Sequence, residues 1–328
     1  MMMSKFSGLV EGCIGCRMCT DECAFLKKYD LTLGDVDKLH ELSYHCFLCG
    51  KCDSVCPVGI KGSSLLLEMR RDAVHNSGGK VDSAYNMMLL EKRNYKFKNY
   101  KHASEGSVLF PGCNFLSLYP KTTDAIAKLW ASKYGIGIIY DCCGKPVAEL
   151  GLENEENSII KGLQERLDKS GVSEIVTFCP NCKAFLSDRL VGINVISIYQ
   201  KMLELGINVN DLPDDGALHI PCPDRETRLW LSQITELLGK SPNLIEESQC
   251  CGLGGSARAK EPELSEGMSK DIIEKAGGKI YTYCASCAGQ LLRSGASYAE
   301  HILPILFGIN ERADSGKSFV NRARSRFK

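Results

Sequence analysis

The chain is expected to be an α+β, multi-domain protein, with a mainly helical N-terminal region followed by a duplicated α/β unit. Three observations carry that expectation. Its 328 residues are enough for two or three separate cores. From Ser107 onward the sequence repeats itself: Ser107-Val-Leu-Phe-Pro-Gly-Cys113 is answered by Ala217-Leu-His-Ile-Pro-Cys222, and Ile175-Val-Thr-Phe-Cys179 by Ile280-Tyr-Thr-Tyr-Cys284. The period, a little over one hundred residues, is too long for a solenoid and suits a duplicated domain. Finally, short β-like runs at 108–110, 174–178 and 279–283 alternate with amphipathic stretches at 122–133, 153–169, 226–238 and 263–276, the strand–helix alternation of α/β units.

Taken in chain order, residues 1–102 form the first region. Leu31, Leu33, Val36, Leu39 and Leu42 predict a helix after a short loop within 24–45. A second helix is predicted over 63–75, where Leu65, Leu66, Leu67 and Met69 precede Ala73 and Val74. The charged, aromatic stretch 91–102 reads as a linker. The two α/β units are expected at 103–212 and 213–310. The last stretch, 311–328, is polar and arginine-rich, and is expected to be a mobile tail.

All eighteen cysteines fall into four patterned sets. The first eight form two runs, Cys13-x2-Cys16-x2-Cys19-x3-Cys23 and Cys46-x2-Cys49-x2-Cys52-x3-Cys56-Pro57. This is the spacing with which bacterial ferredoxins hold iron–sulfur clusters, and there the fourth cysteine ligates the other cluster. On that logic one cubane [4Fe–4S] cluster takes Cys13, Cys16, Cys19 and Cys56, and a second takes Cys46, Cys49, Cys52 and Cys23. Zinc sites are the rival reading, but zinc usually takes two separated Cys-x2-Cys pairs or Cys/His mixtures. The other ten cysteines form two sets of five: Cys113, Cys142, Cys143, Cys179 and Cys182, then Cys222, Cys250, Cys251, Cys284 and Cys287. Adjacent cysteines would strain a single tetrahedral ion and suit a cluster with several irons to bridge. Gly144 and Gly252, one after each pair, are expected to let the backbone approach that core. A phosphate loop is the rival reading of Cys251-Gly-Leu-Gly-Gly-Ser256, and no P-loop lysine pattern supports it.

Bulk properties exclude other classes. Forty basic and forty acidic residues cancel, so nothing drives the chain toward nucleic acid, and no basic patch is interleaved with aromatics. No apolar stretch reaches membrane-span length; the longest, at 302–309, is interrupted by Pro304. The short polar start at 1–8 lacks secretory character. The Cys-x2-Cys spacings point to metal or redox work rather than disulfides, and a cytoplasmic chain, docked on a membrane only through a partner, is expected.

The doubled pattern Cys…Cys-Cys-Gly…Cys-x2-Cys resembles the pair of cysteine-rich "CCG" domains in the catalytic subunit of heterodisulfide reductase. The N-terminal runs resemble the small ferredoxin-like subunit of the same enzyme. Fused in this order, the chain is similar to the single-chain form and to the iron–sulfur subunits of glycolate oxidase and anaerobic glycerol-3-phosphate dehydrogenase. The resemblance covers residues 10–305. It implies that each five-cysteine set holds a noncubane [4Fe–4S] cluster, the two clusters facing each other across a substrate disulfide. Relatives that only pass electrons commonly lack some of these ligands, whereas both sets are complete here; Pro223 after Cys222 departs from the polar residue often found there.

Two readings of function follow. In the first, electrons enter at the cubanes and reduce a disulfide or similar acceptor at the noncubane pair, the ten later cysteines forming the acceptor site. In the second, the chain only wires a flavin dehydrogenase or electron-transfer flavoprotein to a quinone or ferredoxin pool. Either way a flavin-containing or other electron-donor subunit, or a membrane cytochrome, is an expected partner, since the chain carries no flavin or NAD fingerprint of its own. His45 and His219 are expected to lie near clusters and hydrogen-bond sulfur or backbone. Lys145 and Arg225 read as surface charge, and Trp130 and Trp230 as core.

Overall fold

The computed structural model describes residues 5–245 and 247–328. Residues 1–4 of the polar start lie outside the described residues. The N-terminal region is helical: α1 (Met18–Glu22), α2 (Ala24–Tyr29), α3 (Val36–Glu41), α4 (Lys51–Val55), α5 (Gly62–Asn76) and α6 (Asn86–Lys92). The segment 24–45 divides in two because Asp30 adopts a left-handed φ of 54° and stops α2. The Asp35 carboxylate then accepts hydrogen bonds from the Thr32 backbone N–H and hydroxyl, forming the turn that starts α3. Phe25, Leu26, Leu39, Leu65, Leu66 and Met69 pack as the core of this region, with Cys19, Cys23, Cys46 and Cys52 among them.

The first α/β unit contains β1 (Asn99–His102), β2 (Gly106–Phe110), α7 (Gly112–Leu118), α8 (Pro120–Tyr134), β3 (Gly137–Tyr140), α9 (Lys145–Ala148), α10 (Glu153–Lys169), β4 (Val172–Thr177), α11 (Pro180–Leu186), β5 (Asn194–Ser197) and α12 (Ile198–Glu204). Its sheet runs β1-β3-β2-β4-β5, parallel except for β1, which lies antiparallel to β3. The second unit contains β6 (Gly216–His219), α13 (Leu229–Leu238), α14 (Pro262–Ala276), β7 (Lys279–Thr282), α15 (Ala285–Arg293), β8 (Ala299–His301) and α16 (Ile302–Leu306). Its strands form a parallel β6-β7-β8 sheet.

Both sheets are covered on both faces, as parallel sheets are. In β2, Val108 and Phe110 join one core while Leu109 between them joins another. That second core runs through both units: Phe115, Trp130 and Tyr199 from the first share it with Trp230, Tyr283 and Leu303 from the second. Trp130 and Trp230 are thus core residues, and the two halves cannot separate without exposing them.

Two expectations are corrected. The stretch 91–102 is more than a linker, because it supplies β1, with Asn99 opposite Tyr140. The polar tail also has fixed structure: it forms α17 (Ser318–Ser325), in which Asn321 and Ser325 are buried. Asn321 donates to the Ser117 carbonyl at 2.9 Å, Phe319 meets Phe97 edge-to-face, and Arg322 pairs with Glu91.

Arg70, on α5, ties the three regions together. Its guanidinium is fully buried and donates to the carbonyls of Ser43 and Cys46 in the N-terminal region, Glu149 in the first unit and Gly255 in the second.

Candidate functional site

Parallel sheets place their ligand sites at the carboxyl ends of the strands. The five-cysteine sets obey that rule. Cys113 follows β2, Cys142 and Cys143 follow β3, and Cys179 follows β4 as the residue before α11. In the second unit Cys222 follows β6 and Cys284 links β7 to α15. Cys250 and Cys251 lie beyond Leu244, which bridges to β6 at Leu218.

The two sets face one another across a cavity of about 370 Å³, lined by all ten of these cysteines except Cys142. Within the first set, Cys142 and Cys113 have their sulfurs 3.8 Å apart, and Cys143 touches Cys182. Within the second, Cys250 touches Cys222 and Cys251 touches Cys287. The sets meet where Cys179 touches Cys284. Asn181 reaches over from the first unit and its amide donates to the Cys284 sulfur at 3.8 Å.

The N-terminal cysteines group across their runs. Cys56 shares a small hollow with Cys13, Cys16 and Cys19, not with its own run. Cys23 lies beside Cys46 and Cys49. The Gln249 amide nitrogen spans this group, at 3.5 Å from the Cys23 sulfur and 3.9 Å from that of Cys49. Cys49 in turn touches Cys250, so the second run abuts the cysteine pair of the second unit.

Iron–sulfur clusters carry the charge that such sites require. Burial pushes the Cys23 and Cys46 thiols up to about 12, so alone they are poor thiolates; a cationic metal core would reverse that. The backbone leaves room at the sulfurs. A Cβ on Gly62 would lie 2.6 Å from the Cys52 sulfur, and one on Gly112 would lie 3.0 Å from that of Cys182. Backbone N–H groups already point at sulfurs, from Leu48 to Cys46, Ile60 to Cys56 and Gly252 to Cys250. A Cβ on Gly144 or Gly252 would strike Ile159 or the Ser265 backbone, so these glycines also serve helix packing. The donor sets therefore fit clusters. Among the described residues no three Cys, His, Asp or Glu side chains close on a single metal ion.

Other side chains depart from their sequence reading. Lys145 is no surface charge; it lines the cavity and pairs with Glu149. Arg225 donates to the carbonyls of Cys49 and Gln249, stitching the second run to the second unit. His45 lies at an interface, its Nδ1 2.6 Å from the Glu261 carboxylate, which also accepts from Tyr29 and Lys28. His219 is buried beside Cys251 and Cys284, and burial holds it below its ordinary value.

Sequence reasoning missed Lys92, Tyr95, Asn181, Gln249 and His301. Lys92 lines the cavity from α6; burial would pull its ammonium down, but Cys113, Cys142 and Glu91 outweigh that and hold it above its ordinary value. Tyr95 packs on Cys113 and Cys142 with its buried hydroxyl unpartnered. His301 is pushed down to about 3 by burial, lies near Cys284 and packs edge-on against Phe115. Asn181 and Gln249 adjoin ligand-type cysteines and were findable on that ground; Lys92 and Tyr95 touch cysteines distant in sequence, which no local pattern reveals.

No helix among the described residues is long and apolar enough to cross a membrane. The cysteine-rich domain (CCG) family model matches twice, over residues 107–187 and 217–292. The chain is 26% identical to an iron–sulfur protein of Methanococcus maripaludis described no further, the match covering 88% of this chain and 68% of that one. It is 23% identical to one component of the fumarate reductase (CoM/CoB) of Methanothermobacter marburgensis, over 85% of this chain and 66% of the relative. It is also 23% identical to one component of the dihydromethanophenazine:CoB–CoM heterodisulfide reductase of Methanosarcina barkeri, over 80% and 75% respectively. With its cysteine sets gathered at strand ends, the chain is a heterodisulfide reductase-like iron–sulfur protein carrying two CCG cysteine-rich domains.

Proposed function

We propose that the chain is the iron–sulfur subunit of a heterodisulfide reductase-like oxidoreductase complex, working with flavin-containing or other electron-donor subunits. Cys13, Cys16, Cys19 and Cys56 hold one cubane cluster, and Cys23, Cys46, Cys49 and Cys52 the other. Each five-cysteine set holds a noncubane cluster. These groups supply one-electron steps, and a disulfide takes up two electrons and two protons to give two thiols.

The observation that carries this reading is the shared cavity, ringed by cysteines of both sets and joined at Cys179 and Cys284. An acceptor there would touch both sets at once. Lys92, Lys145, Arg293 and Glu149 line the same space; with Lys145 paired to Glu149 and Lys92 to Glu91, Arg293 is left to meet an acidic group on the acceptor. The contact of Cys49 with Cys250 supports entry of electrons from the N-terminal region.

The test is oxidation of reduced methyl viologen by the reconstituted chain with a panel of disulfides, wild type against Cys250→Ser. Disulfide-dependent oxidation that the substitution abolishes is expected, with the N-terminal clusters still reducible. Wild-type inactivity toward every disulfide in the assembled complex would leave the chain a wiring subunit.

A further inference from the structure

We propose that the surface around Cys16 is the docking face for a protein electron donor whose own flavin or iron–sulfur centre lies near its surface. This deepens the proposed function, and rests on its reading of Cys13, Cys16, Cys19 and Cys56 as ligands of one cluster.

Of the eighteen cysteines, Cys16 alone is exposed; the others are buried or half-buried. A relay that ends at a cavity lined mostly by buried cysteines must begin where a centre comes close to solvent, and Cys16 marks that place. Four large apolar side chains stand exposed in the same segments: Leu9 at 51%, Ile14 at 68%, Met18 at 46% and Val58 at 44%. Ile14 and Val58 line the hollow that holds the Cys13, Cys16, Cys19 and Cys56 thiols. Val58 also lines a neighbouring groove of about 360 Å³ with Leu9 and Leu65, so hollow and groove form one continuous surface.

The fold leaves all four partly in water, and covering them would remove apolar surface from it. Contiguous exposed apolar patches mark interaction sites. Charge decides the class of occupant. The groove is rimmed by Glu11, Glu68 and Lys61, and the hollow by Arg17, which pairs with Asp30; this balanced mixture offers little to an acidic lipid surface or to nucleic acid. A protein with an apolar contact spot fits, and redox encounters of this kind need only a small interface, below about 1,200 Å². The rim is also thin. Gly12, Gly15 and Gly59 take positive φ, and a Cβ on any of them would meet nothing within 4 Å. Bare backbone there lets a partner come closer to the thiols than side chains would.

Stopped-flow reduction of the reconstituted full chain tests this with two kinds of donor: reduced methyl viologen, and reduced two-cluster ferredoxin or flavodoxin as protein donors. Leu9→Glu and Leu9→Lys, at a groove residue that does not line the thiol hollow, are compared with wild type. Both variants should slow the better protein donor by about ten-fold or more, with iron content and the viologen rate unchanged. An unchanged protein-donor rate would overturn the proposal, as would an equal slowing with viologen, which would signal damage to the cluster site. Slowing by Glu with acceleration by Lys would assign the effect to charge steering and overturn the apolar contact. So would a wild type that accepts electrons from viologen but from neither protein donor. A chain that binds no iron and takes no electrons from viologen would sink the cluster reading itself, and the docking face with it.

Discussion

Gly112 shows how much one missing methyl group can decide. Its φ is +68°, and a Cβ would press on the Cys182 sulfur from 3.0 Å. Gly112→Ala therefore combines a left-handed backbone penalty of about 1–2 kcal/mol with intrusion at the first five-cysteine set. The expected outcome is a protein that retains roughly four fewer irons per chain after reconstitution and melts earlier. Gly267→Ala is the control. It sits exposed on α14 with open space where a Cβ would go, so a gain of about 0.5–1 kcal/mol is expected with iron content unchanged. At this scale the sequence was legible for the cysteines, whose spacing is local. It was not legible for Gly144, Gly252, Lys145 or Arg225, because what each one touches is set by segments far along the chain.

At the scale of elements, periodicity was a good guide where a helix is long and amphipathic, and α10 begins and ends where its pattern does. It failed where one side chain overrides the pattern. The helix expected from residue 226 starts at Leu229, because the Asp224 carboxylate accepts from the N–H groups of Trp230 and Leu231, each at 3.0 Å, and holds the preceding residues in a loop. Composition misled for α17 too. Its arginines suggested a solvated tail, yet Arg322 has a fixed partner in Glu91, the residue beside Lys92. Truncation after Gly316 should lower the melting temperature by several degrees, about 1–3 kcal/mol, through loss of the Asn321, Phe319 and Arg322 contacts. Hydrogen exchange should rise across α6 and α7, where those partners lie, and stay unchanged around Cys13 to Cys19; uniform exchange would show α17 to be a bystander.

For the whole molecule, two polar centres outweigh their size. Arg70→Met would remove the shared donor from four carbonyls, of which Ser43 keeps a bond from the Cys46 N–H and Glu149 is partly exposed; at about 1–3 kcal/mol for each buried group left unsatisfied, the variant should lose the docking of the N-terminal region. Limited proteolysis in the loop between α5 and α6 reads this out, and a wild-type pattern would refute it. Glu261 is the second centre. Burial would raise its carboxyl, but hydrogen bonds from Lys28, His45 and Tyr29 prevail and hold it below the usual carboxylate range. A lowered folded-state value contributes stability that is present above the unfolded value, near 4.3, and lost as pH falls through the folded one. Glu261→Gln should thus cost about 1.5–3 kcal/mol at neutral pH, with the gap to wild type closing below about pH 4 in denaturant titrations. The three-part order was legible in the duplicated cysteine pattern. The way the parts lock was not, since Arg70 carries no mark in sequence of the three carbonyl-bearing segments it joins.

That lock also has a clock. The carbonyl of Gly255 is made 185 residues after Arg70. At roughly 5–20 residues per second, a ribosome needs roughly ten to forty seconds to deliver it. Through that interval the segment carrying Cys46 has its own helices but not its final lid, because Gln249, Cys250 and Arg225 are also still to come. Cys23, Cys46 and Cys49 therefore stay uncovered by the second unit until its residues 225–255 have been made.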